Sequence, residues 1–294
     1  MGFLMLATAL CCSFVTIARS QPKNAKPSRL LKATRQSPSD LEVTGLLIGL
    51  PPASHRFVSY QDLLSLPQVK ATLVNDDNFA AMNVPKIKIS GVYLSVLAEK
   101  LGVAPDADLI KALCTDKYLG IISSGYISAH KPILILKVNG LTPAEWARKT
   151  HKDDPGPYLV GSENFKSAYY ILGHQETPEV PDNVVTLSFD SQKTVFGAIA
   201  PPARYGLDSP QQQGFAIARV LCLKCHNAGP YGGTKADRSW STLSKDAIKD
   251  PDAFAKRIHD PKSIDPTATM PPNPDFDAAS LAALTAYFQS LPTE

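Results

Sequence analysis

The chain has 294 residues, with 30 Lys and Arg against 27 Asp and Glu, a formal charge of +3. That length accommodates two domains of ordinary size. The near-balance of charge, with no basic stripe interleaved with aromatics, excludes a nucleic-acid binder. The 25 prolines favour loops and linkers over long helices.

Phe3 to Ala18 is an apolar run containing Cys11 and Cys12, and Ala18-Arg19-Ser20 has the small-x-small form of a cleavage site. Residues 1–20 are therefore expected to be a signal peptide cleaved after about Ser20, which sends the chain to the periplasm or outside the cell. Without cleavage the same run would anchor the chain to a membrane. Residues 21–40 follow as a basic leader: Lys23, Lys26, Arg29, Lys32 and Arg35 alternate with Pro22, Pro27 and Pro38, a composition expected to stay flexible.

Residues 41–190 read as an α+β domain. Leu41 to Leu46 alternates like a strand, Ser59 to Leu64 looks like a short capped helix, and Val69 to Val74 is a second strand. Val92 to Leu101 puts Leu94, Leu97, Ala98 and Leu101 on one helical stripe ended by Gly102. Tyr118 to Ile127 and Pro132 to Val138 are β-rich, with Asn139-Gly140 as a turn, and Asn183 to Phe189 alternates again. Neither a Gly-rich phosphate loop nor a Ser-centred elbow occurs. Residues 191–208, with Pro201 and Pro202, read as a linker.

Residues 209–294 read as all-α. Ser209-Pro210-Gln211-Gln212 supplies an N-cap, a proline at the first helical position and a capping-box partner. The helix it starts carries Gly214, Ile217, Ala218 and Leu221 on one face. At the far end Asp277 caps a helix with the stripe Leu281, Leu284, Tyr287, Phe288 and Leu291, stopped by Pro292.

The first helix delivers Cys222-Leu223-Lys224-Cys225-His226, the attachment signature of haem c. Residues three apart share one face of a turn, so both thiols reach one porphyrin edge and the following His lies under the iron. A thioredoxin-like pair does not need the adjacent His, and a zinc site needs a second ligand pair that the chain lacks. If the signal removes Cys11 and Cys12 and haem takes Cys222 and Cys225, only Cys114 remains, so no intramolecular disulfide forms. Cys114 reads as a buried small apolar residue. His55, His130, His151 and His174 are scattered and read as surface or locally satisfied residues.

Two resemblances follow. Gly214 eight residues before the first motif Cys, Tyr287 in the last helix and Met270-Pro271-Pro272 between them make residues 209 to 291 resemble class I c-type cytochromes. The resemblance implies two crossing terminal helices with Gly214 at the contact, and Ala218 stands where an aromatic is frequent. It implies Met270 opposite His226 on the iron, with His259 or an open position as rivals. It also implies a backbone carbonyl for His226 Nδ1, for which Pro230 is the candidate by analogy with the family's Gly-Pro. Tyr231, Arg238 and Trp240 are candidates to line the haem, or to be solvated or packing side chains.

Val58 to Leu63, Gly91-Val92-Tyr93-Leu94, Ser124-Gly125-Tyr126, Leu136 to Gly140 and Gly156 to Val160 make roughly half the chain resemble the molybdopterin-binding domain of the sulfite oxidase class. That family holds molybdenum by a cysteine ahead of the Gly-Val-x-Leu helix. Here the stretch reads Val74-Asn75-Asp76-Asp77-Asn78-Phe79, without sulfur, so molybdopterin is not expected and the domain is expected to serve as a docking scaffold. The expected function is single-electron transfer with a redox partner protein, a donor dehydrogenase or a terminal acceptor, and no substrate-transforming site. The alternatives are a sulfite-type molybdenum oxidoreductase with the haem as internal acceptor, and a haem sensor or peroxidase-like enzyme with an open iron position.

Overall fold

The computed structural model describes residues 26–292. The expected signal peptide and the first five residues of the leader lie outside them. In chain order the elements are β1 (Leu41–Gly45), β2 (Arg56–Val58), α1 (Tyr60–Ser65), β3 (Val69–Val74), α2 (Asp77–Ala81), β4 (Lys86–Tyr93), α3 (Leu94–Leu101) and β5 (Leu109–Cys114). Next come β6 (Leu119–Ser123), α4 (Ser124–His130), β7 (Ile133–Val138), α5 (Pro143–Thr150), β8 (Leu159–Gly161), β9 (Tyr170–Ile171), β10 (His174–Gln175) and β11 (Val184–Asp190). The rest is helical: α6 (Gln192–Gly197), α7 (Pro210–Leu221), α8 (Trp240–Lys249), α9 (Pro251–His259) and α10 (Ala278–Ser290). The chain is thus mixed α+β, with its strands confined to the first two thirds.

Two sheets build the strand-bearing part. One has the order β2-β1-β11-β5-β6 and the other β3-β4-β7-β8, while β9 and β10 form a separate hairpin. β1 pairs in parallel with β11, so the first strand and the last of this part close the sheet beside each other. The alternation in β1 is visible as burial: Leu41, Val43 and Gly45 are buried, and the residues between them are half-buried. Gly45 adopts a φ of 94°, and a Cβ there would meet the Phe189 carbonyl at 2.1 Å. Only glycine fits so close an approach between strands.

Several boundaries differ from the sequence reading for identifiable reasons. Val92 and Tyr93 finish β4, and the helix starts only at Leu94; Gly102 ends it in the left-handed region, at φ 71°. Tyr118 to Ile127 is not one β run. Ser123 accepts a hydrogen bond from the Tyr126 amide and so turns the chain into α4. The Asn139-Gly140 turn forms, with φ values of 49° and 83°. The leader is not free from Pro27 onward: Lys32 bridges to Phe57, and Leu30 and Leu31 pack on the first core. Asp40 is buried and accepts the amides of Gln36 and Ser37.

The stretch 191–208 is the larger correction. It opens with α6, and Val195, Phe196 and Ile199 are buried in one cluster with Leu109, Leu119 and Ile121 from the sheet. The same cluster contains Ile217, Leu223, Trp240, Leu284, Tyr287 and Phe288 from the helical part. Prolines at 201 and 202 gave the segment a linker's composition, but its apolar side chains complete a core shared by sheet and helices. Among the described residues no helix is long and apolar enough to cross a membrane.

Candidate functional site

The Cys222 turn is positioned from both sides. Ser209 accepts the Gln212 amide at 3.3 Å and starts α7 at Pro210. α7 crosses α10 at Gly214, where a Cβ would meet the Ala283 carbonyl at 2.0 Å and Tyr287 Cβ at 2.8 Å. Asp277 caps α10 through the Ser280 amide at 2.7 Å. The buried stripe of α10, with Leu284, Tyr287 and Phe288 fully enclosed, seats against Ile217 and Ala218 of α7. Phe215 stands 5.7 Å from the Tyr287 ring.

At the end of α7 the chain tightens into a 3-10 turn, Cys222–Lys224. The His226 amide donates to the Cys222 carbonyl at 2.9 Å, so all five motif residues wrap one loop. Cys222 and Cys225 are both free thiols and partly buried. Burial pushes the Cys222 thiol up to about 12, which keeps it protonated at neutral pH. His226 is buried, and its Nδ1 lies 2.6 Å from the Arg238 carbonyl oxygen. A carbonyl oxygen only accepts, so Nδ1 carries the hydrogen and Nε2 keeps its lone pair. Burial also lowers the His226 pKa, in favour of that neutral ring. This is the tautomer a metal-ligating imidazole requires.

The carbonyl partner therefore differs from the one expected. Gly229 and Pro230 form the exposed tip of a turn closed by Ala228 and Tyr231, each donating its amide to the other's carbonyl at 2.7 and 3.2 Å. That closure carries Pro230 outward. Arg238 takes its place because the Ala236 amide donates to the Cys225 carbonyl and the Trp240 amide to the Asn227 carbonyl, drawing the 236–240 segment alongside the motif. No sequence signal distinguished Arg238 for this role.

The other candidates are only partly brought together. Tyr231 is half-buried and packs on the helical core. The Arg238 guanidinium pairs with Asp246 of α8. The Trp240 indole N–H donates to Tyr287 Oη at 2.9 Å, and that hydroxyl donates to the Ile199 carbonyl at 2.6 Å. Trp240 is thus bonded into the core that joins α6, α8 and α10. Met270 is half-buried on the irregular segment before α10. Asn273 fixes the chain just after it: its amide donates to the His259 carbonyl at 3.0 Å, and its Nδ2 to the Ile258 carbonyl at 3.0 Å. Asn273 is a positioning residue the sequence reading did not identify. His259 itself is exposed at the end of α9.

The motif is also tied to the sheets. Lys224 and Glu179 form an ion pair at 2.8 Å, with side-chain exposures of 8% and 5%. The second Glu179 oxygen accepts the Ile121 amide at 3.3 Å, and the Glu179 amide donates to Tyr126 Oη at 2.7 Å. Burial alone would push the Lys224 ammonium down, but the Glu179 carboxylate overrides it and holds Lys224 above its ordinary value. The Gly233 amide bonds the Leu223 carbonyl, the Thr234 amide bonds the Lys117 carbonyl, and Lys235 pairs with Asp116. A buried ion pair between elements this distant in sequence had no periodic pattern to announce it.

Two further residues bear on metal chemistry. Cys114 is buried on β5, and burial pushes its thiol up to about 12. Asp76 is mostly buried, its Oδ1 has no hydrogen-bond partner, and burial raises its pKa to about 6. Of the scattered histidines, His130 is locally satisfied, its Nε2 meeting Glu176 at 3.0 Å, while buried His174 packs edge-on to Phe276.

Neither a comparison with protein-family models nor one with curated proteins finds a match. Among solved structures, the chain is similar to the sulfane dehydrogenase SoxCD from Paracoccus pantotrophus, at 16% sequence identity and a TM-score of 0.32. That superposition covers 55% of this chain and 42% of the other, so the chain spans well under half of the matched chain's length.

Proposed function

We propose that this chain is an exported single-electron carrier that holds one haem c at Cys222, Cys225 and His226. The observation that carries the reading is the state of His226: Nδ1–H bound to the Arg238 carbonyl, Nε2 without a partner among the described residues, and free thiols directly before it and one turn before it. The donor set fits the group. Cys222 and Cys225 would form the two thioether bonds, and His226 and Met270 would ligate the iron. Bound there, the haem supplies reversible one-electron exchange between Fe(II) and Fe(III).

The chain's own residues do the rest. Arg238 holds the imidazole in one tautomer and orientation. The α7–α10 crossing at Gly214 and the Trp240–Tyr287–Ile199 chain of hydrogen bonds pack the helical core beside the motif. The Lys224–Glu179 pair fixes the motif against the sheets. The α+β part serves as a scaffold that presents the site to a redox partner protein.

Molybdenum chemistry in the α+β part is not supported by its donors. The Val74 to Phe79 stretch has no sulfur, and Cys114 is a buried, protonated thiol rather than a ready thiolate ligand. The Met270 assignment is tested by comparing reduced and oxidised spectra of wild type with Met270→Ala and Met270→His. Loss of the thioether-to-iron charge-transfer band and a lower potential in both variants are expected. Unchanged spectra would remove Met270 from the iron.

A further inference from the structure

Arg219 lies on α7, one helical turn before Cys222, and among the described residues its guanidinium has no carboxylate partner. It lies over two aromatic rings instead, 5.2 Å from the centroid of Phe196 and 5.4 Å from that of Phe215. Its Nε is buried without a hydrogen-bond partner. Arg219 as a whole is half-buried, and stacking on aromatic faces orients its guanidinium without supplying the counter-charge that an anion would.

The same side chain lines a cleft of about 310 Å³ between the helical part and the sheet, together with Ser123, Tyr169, Tyr170 and Gln192. Ser123 Oγ accepts the Tyr126 amide at 3.1 Å, and its own hydroxyl hydrogen has no acceptor among the described residues. Gln192 Nε2 is taken by Asp108. The carboxylates of the adjoining cleft already have partners: Glu176 accepts the Ala168 amide and meets His130, and Glu179 is paired with Lys224. The cleft therefore offers a fixed positive charge, at least one free hydroxyl donor and apolar walls.

We propose that this cleft is a binding site for a small oxyanion, held by the Arg219 guanidinium with Ser123 as second donor. A planar guanidinium presents paired N–H groups that match two oxygens of a carboxylate, phosphate or sulfur oxyanion. The stacked aromatics hold the fork in place before the anion arrives. The site depends on neither the haem assignment nor the electron-transfer reading, because none of its groups is a proposed ligand.

The test uses the intact chain and three probes at constant ionic strength: inorganic phosphate, sulfate and acetate, with chloride as the background salt. Binding is followed by calorimetry and by the Nε–H resonance of Arg219. Saturable one-to-one binding of at least one oxyanion, with a shift of that resonance, is expected. Arg219→Gln should weaken it at least tenfold, Arg219→Lys less so, and Ser123→Ala several-fold. Ser123→Ala leaves the Arg219 stacking in place and so serves if Arg219→Gln fails to fold. No saturable response to any of the three probes would overturn the proposal, and so would equal binding by wild type and Arg219→Gln. The resonance on the unaltered chain decides the matter without any variant.

Discussion

Replacing Glu179 by Gln changes one atom type and removes the charge that answers Lys224. The two charges stand 2.8 Å apart at 8% and 5% exposure. At an effective dielectric of about 20 their attraction is about 6 kcal/mol, against a desolvation penalty of several kcal/mol for each ion. The net value of the intact pair is therefore small. The single variant is different, because it keeps the cost of the buried ammonium and loses what offset it, a destabilisation of about 3–5 kcal/mol. Urea unfolding followed by far-ultraviolet circular dichroism measures it. With a slope of about 3 kcal/mol per molar, the midpoint should fall by about 1–1.7 M. Lys224→Met combined with Glu179→Gln removes both charges, keeps an acceptor for the Ile121 amide and leaves the Cys-x-x-Cys-His pattern intact. The double variant should regain most of the lost stability, and the cycle should show coupling of at least 2 kcal/mol. If Glu179→Gln costs under about 1 kcal/mol, or if the two changes simply add, the motif is not pinned to the sheets by this pair.

Two other outcomes follow from the packing and the buried charges. Gly214→Val should open the α7–α10 crossing, since even a Cβ there would stand 2.0 Å from the Ala283 carbonyl. A loss of about 3 kcal/mol or more in chemical denaturation is expected, and a loss under 1 kcal/mol would mean the helices do not cross at that point. Burial raises the Asp76 pKa from 3.8 to about 6, with Asp77 and Asp182 adding to it. The folded state thus holds that proton more tightly than the unfolded chain. Its contribution is fully present below pH 4 and is lost as pH rises through 6. Asp76→Asn should flatten the fall in stability between pH 4 and 6, by up to about 3 kcal/mol, and an unchanged profile would show that Asp76 is not the group responsible.

How much of this was legible in the sequence depends on how local its cause was. β1, β3, β7, α1, α3 and the Asn139-Gly140 turn announce themselves through alternation, a capping serine and residues that tolerate positive φ. The helix starts at Ser209 and Asp277 were readable for the same reason. Ser239 and Asp250-Pro251 carry equally local signals for α8 and α9, through capping side chains that accept the Thr242 and Ala253 amides. What was not legible is non-local. The stretch 191–208 looks like a linker by composition, and only the assembled core shows where Val195, Phe196 and Ile199 go. Pro230 was the candidate by analogy with a Gly-Pro pair, whereas the turn at Gly229 sends it outward and brings Arg238 to the imidazole. Lys224 occupies a variable position of a short motif, and its partner lies 45 residues earlier on the far side of an interface.

The proposed function rests on a haem held covalently at Cys222 and Cys225 with His226 on its iron. It is tested most directly by producing the chain in an exporting host with c-type haem attachment machinery, then measuring the intact mass and the haem stain after denaturation and acidic extraction. One haem per chain is expected, which survives both treatments, becomes non-covalent or is lost in Cys222→Ala with Cys225→Ala, and loses its low-spin spectrum in His226→Ala. A colourless chain of unaltered mass, or a haem that extracts freely from the wild type, would contradict it.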